Sequence, residues 1–259
     1  MLRLCVLGAS GRMGQEVIAQ ARADGDIAVV GAADRADSAI IGSEVAPGVR
    51  VTADVDEALR TAEVYVDFTS AEATGVAARA AFARGVAAVV GTTALDAAAE
   101  AALDALAGAA PVLQAPNFSL GVNLMLALVE QSARALGPGY DLEIVEVHHG
   151  KKRDAPSGTA IAIGKALAAG RGLDWEHARR FARDGVIGAR HPDEIGVLAV
   201  RGGDVIGDHT AYFLGASERI EITHRAATRG VFAAGALRAA RWLAGKPAGR
   251  YRMRDVLGL

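Results

Sequence analysis

The sequence predicts an α/β fold in two parts: an N-terminal parallel sheet with crossover helices, and a central α+β domain with a mixed, largely antiparallel sheet. In the first half, short β-branched runs alternate with Ala-rich helical stretches, and the first run leads directly into a glycine-rich turn. After Asn117 this alternation stops, and strand-like segments separated by glycines follow one another. The 259 residues, 51% of them hydrophobic, are enough for two domains.

The elements of the first half are identified by apolar runs and by helical periodicity. Strands are predicted over residues 2–7, 27–33, 64–68, 87–90 and 112–115, and helices over residues 11–23, 55–61, 71–84 and 94–107. Ligands of such sheets bind at the carboxyl ends of the strands. The loops after these strands should therefore line one crevice.

The second half begins with a predicted helix over residues 121–135 and an alternating segment over residues 141–149. A further helix is expected to start at Ser157. Residues 195–201, 204–215 and 218–224 have the pattern of antiparallel strands with Gly turns, and residues 231–243 form a last helix. That helix could return to pack on the first domain.

The turn after the first strand, GASGRMG, places Gly8, Gly11 and Gly14 at a strand-to-helix junction. Glycines there let the backbone approach a pyrophosphate, and the helix start supplies N–H donors and a positive dipole. The GxxGxxG spacing is not the commoner GxGxxG, so its position after a strand carries the prediction of a Rossmann-type nucleotide site. A Rossmann-like domain that binds no nucleotide is the alternative.

The end of the second strand indicates which nucleotide is bound. Asp34 follows the last glycine by twenty positions, where an acid hydrogen-bonds the ribose hydroxyls of NADH. Arg35 comes next and could hold the 2′-phosphate of NADPH, and Arg12 is a second candidate for a phosphate contact. The pair predicts a cofactor that is NADH or NADPH with weak discrimination.

The segment EVHHGKKRDAPSGTA, residues 146–160, crowds two imidazoles, three cations and a helix start together. The Asp-Ala-Pro lead-in is expected to hold the chain extended before Ser157, and a helix beginning near Gly158 would point free N–H groups at an anion. Lys152 and this helix start could hold opposite ends of a small dicarboxylate. His148, near the middle, is the natural general acid, and His149 contacts the substrate or orients the loop.

Two other interpretations of this segment are a metal site and a solvated basic loop. Adjacent histidines on a strand point to opposite faces, and no Cys or carboxylate cluster completes a ligand set, so no metal is predicted. Lys151 and Arg153 are expected to be surface charges. Three of the other four histidines, His177, His191 and His209, have no such context and are expected to be structural.

Composition excludes several classes of partner. A net charge of −2 gives no electrostatic footprint for nucleic acid or an anionic membrane, and the apolar runs are too short to span a bilayer. The single Cys5 excludes an intramolecular disulfide and favours a reducing compartment. With an N-terminus that enters a strand directly, this predicts a cytoplasmic protein.

Motifs along the whole chain resemble the 4-hydroxy-tetrahydrodipicolinate (dihydrodipicolinate) reductase family of bacterial lysine and diaminopimelate synthesis. The matching segments are GASGRMG, VDFT at 66–69, GTT at 91–93, APNFSLGVN at 115–123, residues 146–160, RGGDVIGDHT at 201–210 and ITHRA at 222–226. The resemblance implies hydride transfer from a nicotinamide cofactor to a cyclic imine dicarboxylate. It also implies a homotetramer, a dinucleotide domain of residues 1–119 with 228–259, and a substrate and oligomerisation domain of residues 120–227.

Carried over by position, the resemblance makes His148 the proton donor and Lys152 the main substrate cation, with His149 nearby. It assigns a substrate carboxylate to Ser157, Gly158 and Thr159. The cofactor residues it implies, together with those of the nucleotide loop, are Gly8, Gly11, Arg12, Met13, Gly14, Asp34, Arg35, Phe68, Gly91, Thr92, Thr93, Ala115, Asn117 and Phe118. The chain departs from many relatives at Ser70, where they carry Arg, and at Asp34, where they carry Glu.

Two other functions fit part of the sequence. An amino-acid dehydrogenase would share the cofactor half, but it would need a carboxylate for the substrate amine, whereas the loop after His148 offers mainly cations. A dinucleotide-sensing module would bind cofactor without turnover, and gives no reason for His148 and Lys152 to occur together.

Overall fold

The computed structural model describes all 259 residues and divides into two compact units. The first comprises Met1–Leu120 and Arg229–Leu259, and the second Gly121–Thr228. The first contains an eight-stranded, largely parallel sheet and the second a five-stranded mixed sheet, which confirms the predicted fold class. None of the helices has the length and apolar character that crossing a membrane requires.

Thirteen strands and nine α-helices make up the fold. The strands are β1 (Leu2–Leu7), β2 (Ile27–Ala33), β3 (Glu44–Ala46), β4 (Val49–Thr52), β5 (Val64–Asp67), β6 (Ala87–Val90), β7 (Pro111–Gln114), β8 (Asp141–His148), β9 (Arg179–Arg180), β10 (Ile195–Arg201), β11 (Asp208–Leu214), β12 (Arg219–Arg225) and β13 (Gly249–Tyr251). The helices are α1 (Arg12–Ala23), α2 (Val55–Ala58), α3 (Ala71–Phe82), α4 (Ala97–Ala107), α5 (Leu120–Leu136), α6 (Gly158–Arg171), α7 (Trp175–Ala178), α8 (Gly230–Leu243) and α9 (Met253–Leu257).

The sheet of the first unit has the strand order β13-β7-β6-β5-β1-β2-β4-β3. Its pairs are parallel except β3 with β4. Side chains of β1 alternate between two cores: Leu4 and Val6 pack with α1 and α8, and Cys5 and Leu7 pack with α3 and α4. Helices therefore cover both faces, and functional groups can collect only at the strand ends.

The sheet of the second unit has the order β12-β11-β8-β10-β9. Along β8, Leu142, Ile144, Glu146 and His148 are buried, and the first two pack in a core with α5 and α6. The prediction that residues 195–201 pair antiparallel is wrong, because β10 runs parallel to β8 and β9. Helix α6 lies between β8 and β10 in the chain and provides the crossover that parallel strands need.

Several short elements were not predicted. The additional strands are β3, β4, β9 and β13, and the additional helices are α7 and α9. The helix predicted over residues 55–61 is shorter, because α2 ends at Ala58. Each of these elements has five residues or fewer, and none has the continuous apolar run that predicts the equally short β5, β6 and β7.

Candidate active site

In the turn between β1 and α1, the start of the helix packs directly against the backbone of Gly8. Gly8 has φ +77°, and its N–H donates to the carbonyl of Ala33 at 2.9 Å. A Cβ on Gly14 would lie 2.1 Å from the Gly8 oxygen, so only glycine allows α1 to begin so close to the turn. The N-cap Gly11 offers no side-chain bond, and the first turn has no acidic residue. Its N–H groups and positive dipole are thus available to a phosphate.

A cavity of about 670 Å³ opens beside this turn, within the size range of small-ligand sites. Asp34 lines it, and its carboxylate accepts from the N–H of Ser10 at 2.6 Å and from that of Arg35 at 2.9 Å. The Arg35 side chain is exposed and pairs with Asp37 at 3.0 Å. The lining residues are Leu7, Gly8, Ser10, Gly11, Ala33, Asp34, Arg35, Ala53, Val55, Phe68, Thr69, Ser70, Glu72, Ala73 and Val76.

Five of the cofactor residues predicted from the sequence line this cavity: Gly8, Gly11, Asp34, Arg35 and Phe68. Others lie outside its lining, namely Arg12, Met13, Gly14, Gly91, Thr92, Thr93, Ala115, Asn117 and Phe118. Arg12 and Thr93 are exposed, whereas Met13 packs on the core beneath the turn. Half of the ten lining residues that sequence reasoning missed lie between Thr69 and Val76, where the Asp-Phe-Thr-Ser run after β5 was the available signal.

The carboxylate of Asp67 joins the loops after β5 and β6. It is fully buried and accepts from the hydroxyls of Thr69 and Thr74 at 2.6 Å each, and from that of Thr92 at 3.1 Å. Burial raises the pKa of Asp67, and the threonine bonds offset only part of that effect. Thr92, predicted as a cofactor residue, is buried, and its hydroxyl supports the Asp67 carboxylate.

Aromatic packing shapes the neighbouring segment. A Cβ on Gly91 would lie 2.0 Å from the ring of Phe68, so Gly91 makes room for that ring. Phe118 meets Phe68 edge to face with 5.7 Å between ring centroids. Gly91 and Phe118 thus act on the cavity through Phe68, which lines it.

In the second unit, β8 ends at a buried histidine bound to a buried carboxylate. His148 is 8% exposed, and its Nδ1 lies 2.6 Å from Oε2 of Glu146, which has no exposed surface. Arg201 donates to both oxygens of Glu146, at 2.7 and 2.8 Å. Burial alone would raise the pKa of Glu146, but its bonds with Arg201, His148 and the Ser157 N–H lower that pKa below its usual value.

Helix α6 begins as predicted, with Ser157 as its N-cap. The Ser157 Oγ accepts from the N–H of Ala160 at 3.1 Å and lies 2.9 Å from Nε2 of His209. Gly158 and Thr159 form the first turn, which has no acidic residue. This N-terminus can accept an anion, as the carboxylate prediction requires.

The segment before Ser157 differs from its prediction. Residues 154–156 form a bend with a cis Ala155–Pro156 peptide bond, so the expected extended lead-in is wrong. Arg201 also donates to the carbonyl of Asp154 at 2.8 Å, which holds the bend against the end of β10.

Lys152 and His149 lie in the loop between β8 and α6. The ammonium of Lys152 pairs with Asp154 at 2.9 Å, and its side chain is 20% exposed. His149 donates its backbone N–H to Val205 at 2.8 Å, and its Nδ1 is buried without a hydrogen-bond partner. Lys151 and Arg153 are exposed. Nowhere do three or more His, Cys, Asp or Glu side chains come together in an arrangement suited to a metal ion.

Three residues of this cluster were missed by sequence reasoning: Glu146, Arg201 and His209. Glu146 precedes His148 by two residues, so the period of a strand places both on one face, which was a usable signal. His209, expected to be structural, packs its ring edge to face against His148, with 5.2 Å between centroids. Burial lowers the pKa of His209 to about 4. That contact depends on the pairing of β11 with β8, which is distant in sequence.

The doubly covered parallel sheet with its glycine turn, and the buried histidine beside a helix start without acidic residues, define a nicotinamide-dependent oxidoreductase of the Rossmann class. Family comparison gives the particular group. Residues 2–118 match the dihydrodipicolinate reductase N-terminus and residues 121–257 match its C-terminus. The chain belongs to the dihydrodipicolinate reductase family.

Individual relatives agree with this assignment over their full length. A 4-hydroxy-tetrahydrodipicolinate reductase of Anaeromyxobacter dehalogenans is 48% identical, covering 100% of this chain and 98% of the relative. The Thiobacillus denitrificans enzyme of the same name is 47% identical, covering 100% and 99%. Among solved structures, a dipicolinate-bound dihydrodipicolinate reductase from Paenisporosarcina matches 98% of both chains with a TM-score of 0.81 at 24% identity, which shows the same fold.

Proposed function

We propose that this chain reduces a cyclic imine dicarboxylate to tetrahydrodipicolinate with NADH or NADPH, as a 4-hydroxy-tetrahydrodipicolinate reductase. The observation that carries the proposal is the pairing of a buried, carboxylate-bound His148 with the N-terminus of α6, whose first turn has no acidic residue. The first supplies a proton donor and the second a carboxylate site. Family membership supports this reaction over an amino-acid dehydrogenase or a dinucleotide sensor.

The first unit fits a dinucleotide. Its uncapped helix start can take the pyrophosphate, and Asp34 at the cavity wall can take the ribose hydroxyls. When bound, the reduced nicotinamide supplies the hydride. Thr93, Ala115 and Asn117, which lie outside the cavity lining, remain proposed contacts of the nicotinamide end, while Gly91, Thr92 and Phe118 support the cavity through Phe68 and Asp67.

Residues of the second unit hold and protonate the substrate. His148 has its Nδ1 committed to Glu146, so Nε2 is the atom that can hold and release a proton as negative charge develops on the substrate. Gly158 and Thr159 at the start of α6 bind one carboxylate, Ser157 caps that turn with its N–H held by Glu146, and Lys152 leaves Asp154 to bind the other carboxylate. His149 turns its unpartnered Nδ1 to the same substrate. Neutralising two carboxylates and supplying one proton accounts for the catalytic role of these residues.

Loss of absorbance at 340 nm with enzymatically generated substrate tests the reaction. We expect the native chain to oxidise cofactor only when substrate is present, and His148→Gln and Lys152→Ala to lose about 100-fold or more in kcat/KM. The exposed His177→Gln and Lys165→Ala variants are matched controls and should keep native rates. A native chain that binds cofactor without turnover, or that instead oxidises aspartate or diaminopimelate with NAD⁺, contradicts the proposal.

We propose weak discrimination between the two cofactors, since Asp34 suits a ribose diol and Arg35 a 2′-phosphate. Removing the guanidinium in Arg35→Ala should raise the KM for NADPH more than the KM for NADH, because only NADPH carries the phosphate. Steady-state rates with both cofactors measure this. A native preference beyond about 100-fold in kcat/KM contradicts weak discrimination.

We propose a cytoplasmic homotetramer that binds neither membranes nor nucleic acid. The mixed sheet supports association, because one face packs on α5 and α6 while the other carries Val145, Val147, Leu198 and Val200, of which the last two are 39% and 46% exposed. Sedimentation equilibrium should give four times the chain mass of 26.5 kDa. A monomer at micromolar concentration contradicts it.

A further inference from the structure

The side chain of Glu146, near the end of β8, makes four hydrogen bonds. It is fully buried, and its Oε2 contacts the His148 ring and one nitrogen of Arg201, while its Oε1 accepts from the other Arg201 nitrogen and from the Ser157 N–H. A buried carboxylate is costly unless every oxygen is bonded. One bond goes to His148, one to the Ser157 N–H at the start of α6, and two to Arg201, which neutralises the charge of the carboxylate.

The first consequence concerns the tautomer of His148. An ionised carboxylate can only accept, so at 2.6 Å it requires the hydrogen to be on Nδ1. Nε2 is then the ring atom that exchanges a proton. A Cβ on Gly207 would lie 2.9 Å from that nitrogen, so the glycine leaves Nε2 uncovered by a side chain.

The second consequence concerns the position of the proton donor, His148, relative to the start of α6. The same carboxylate accepts from Ser157 at 3.0 Å, so one rigid group joins the proton donor to the N-cap of α6. Arg201 extends the connection, because it also donates to the carbonyl of Asp154, whose side chain pairs with Lys152. Hydrogen bonds and ion pairs thereby connect His148, the start of α6 and Lys152 to Glu146.

We propose that Glu146 is the positioning residue of this site, fixing His148 as an Nε2 proton donor and holding it in register with the α6 carboxylate cradle, with Arg201 as its charge partner. This inference rests on the proposed reductase function. Glu146 touches neither substrate nor cofactor in this role and acts through His148 and Ser157.

The test is a double-mutant cycle of Glu146→Gln with His148→Gln. Glu146→Gln keeps the shape but replaces an acceptor by an amide that can donate to Nδ1, so kcat should fall about 100-fold or more, as when other histidine-orienting carboxylates are removed. In the His148→Gln background the same change should cost less than about threefold, because the residue through which it acts is gone. Glu146→Asp, which keeps the charge, should recover part of the rate.

Glu143→Gln is the matched control, since Glu143 also lies on β8 and binds two arginines, Arg183 and Arg190, but does not contact His148. It should keep native kcat, and cofactor affinity by fluorescence titration should be native in all variants. Equal losses from Glu146→Gln with and without His148 would show a merely structural carboxylate and overturn the inference.

Nitrogen-15 NMR of the His148 ring separates this inference from the proposed function. We expect a protonated Nδ1 in the native chain and a changed tautomer in Glu146→Gln. A native chain without turnover would end the reductase proposal, yet the tautomer would still report on Glu146. A ring with the hydrogen on Nε2 in the native chain, or an unchanged tautomer in the variant, contradicts the positioning role.

Discussion

Each unit contains a fully buried carboxylate, Asp67 in the first and Glu146 in the second, and their partners give them opposite pKa shifts. Burial raises the pKa of Asp67, because its partners are neutral hydroxyls and one amide. Burial acts on Glu146 in the same sense, but the hydrogen bonds from Arg201, His148 and the Ser157 N–H together outweigh it and lower that pKa. At the scale of single residues, the number and charge of the hydrogen-bond donors decide in which direction the pKa of a buried acid moves.

Replacing Asp67 tests its role in joining two loops. Asp67→Ala leaves the buried hydroxyls of Thr74 and Thr92 without their acceptor, so the free energy of unfolding should fall by about 2–4 kcal/mol. Cofactor affinity should fall as well, because Phe68 and Thr69 line the cavity. Urea denaturation and cofactor titration measure both effects. Asp96→Ala, which removes only the N-cap of α4, is the control and should cost about 1 kcal/mol; an equal cost for both variants contradicts the role.

His209 should make stability depend on pH. Burial, followed by the nearby charge of His148, lowers its pKa to about 4, whereas the unfolded chain titrates near 6.5. Between these values the unfolded chain binds the extra proton, so the free energy of unfolding falls as the pH drops, by about 3 kcal/mol across the window. His209→Gln should lose about that much less than the native chain between pH 6.5 and 4.

Denaturant unfolding at several pH values measures this difference. His177→Gln, at an exposed histidine, is the control and should keep the native pH dependence. If His209→Gln and the native chain lose stability in parallel, His209 is not the neutral buried group described above.

At the scale of elements, the close approach of α1 to the turn after β1 determines whether a dinucleotide can bind. Gly14→Ala places a methyl group 2.1 Å from the Gly8 carbonyl oxygen, so α1 must move away and its N–H groups leave the cavity wall. Cofactor affinity should fall about 10-fold or more, as measured by fluorescence titration. Gly25→Ala has open space around it and should bind normally. Native affinity in Gly14→Ala would contradict this packing requirement.

Elements with a continuous apolar run or a helical repeat of apolar residues were predictable from the sequence. Pairings between strands that are distant in sequence were not. Helix α6 and its N-cap Ser157 follow from local residue types, because capping is a local interaction. The parallel direction of β10 depends on a partner some fifty residues earlier in the chain, and no local pattern of alternation encodes direction.

The same distinction applies to the site. His148 and Lys152 occur in one short segment and were predicted together, whereas Arg201 and His209 reach that segment only through strands that pair with β8. Glu146 was within reach of the sequence through the two-residue period of its strand. The proposed catalytic residues thus follow from residue type and spacing, while identifying the residues that hold them required the fold.

At the scale of the whole molecule, the uncovered face of the mixed sheet gives the last prediction. Strand register places Leu198 beside Val145, and Val145 beside Thr210, on that face, and Leu198 is 39% exposed. An apolar row in the middle of a sheet is stable in water when another surface covers it. Leu198→Asp would place a charge in such an interface, so the proposed homotetramer should dissociate at micromolar concentration.

Sedimentation equilibrium measures the dissociation, and Phe82→Asp is the control because Phe82 is 51% exposed on α3 of the first unit. It should leave the mass unchanged. Circular dichroism distinguishes a folded monomer from an unfolded chain, since Leu198 lies outside the core of α5, α6 and β8. A Leu198→Asp chain that keeps the native mass would place the association surface elsewhere and leave this face to solvent.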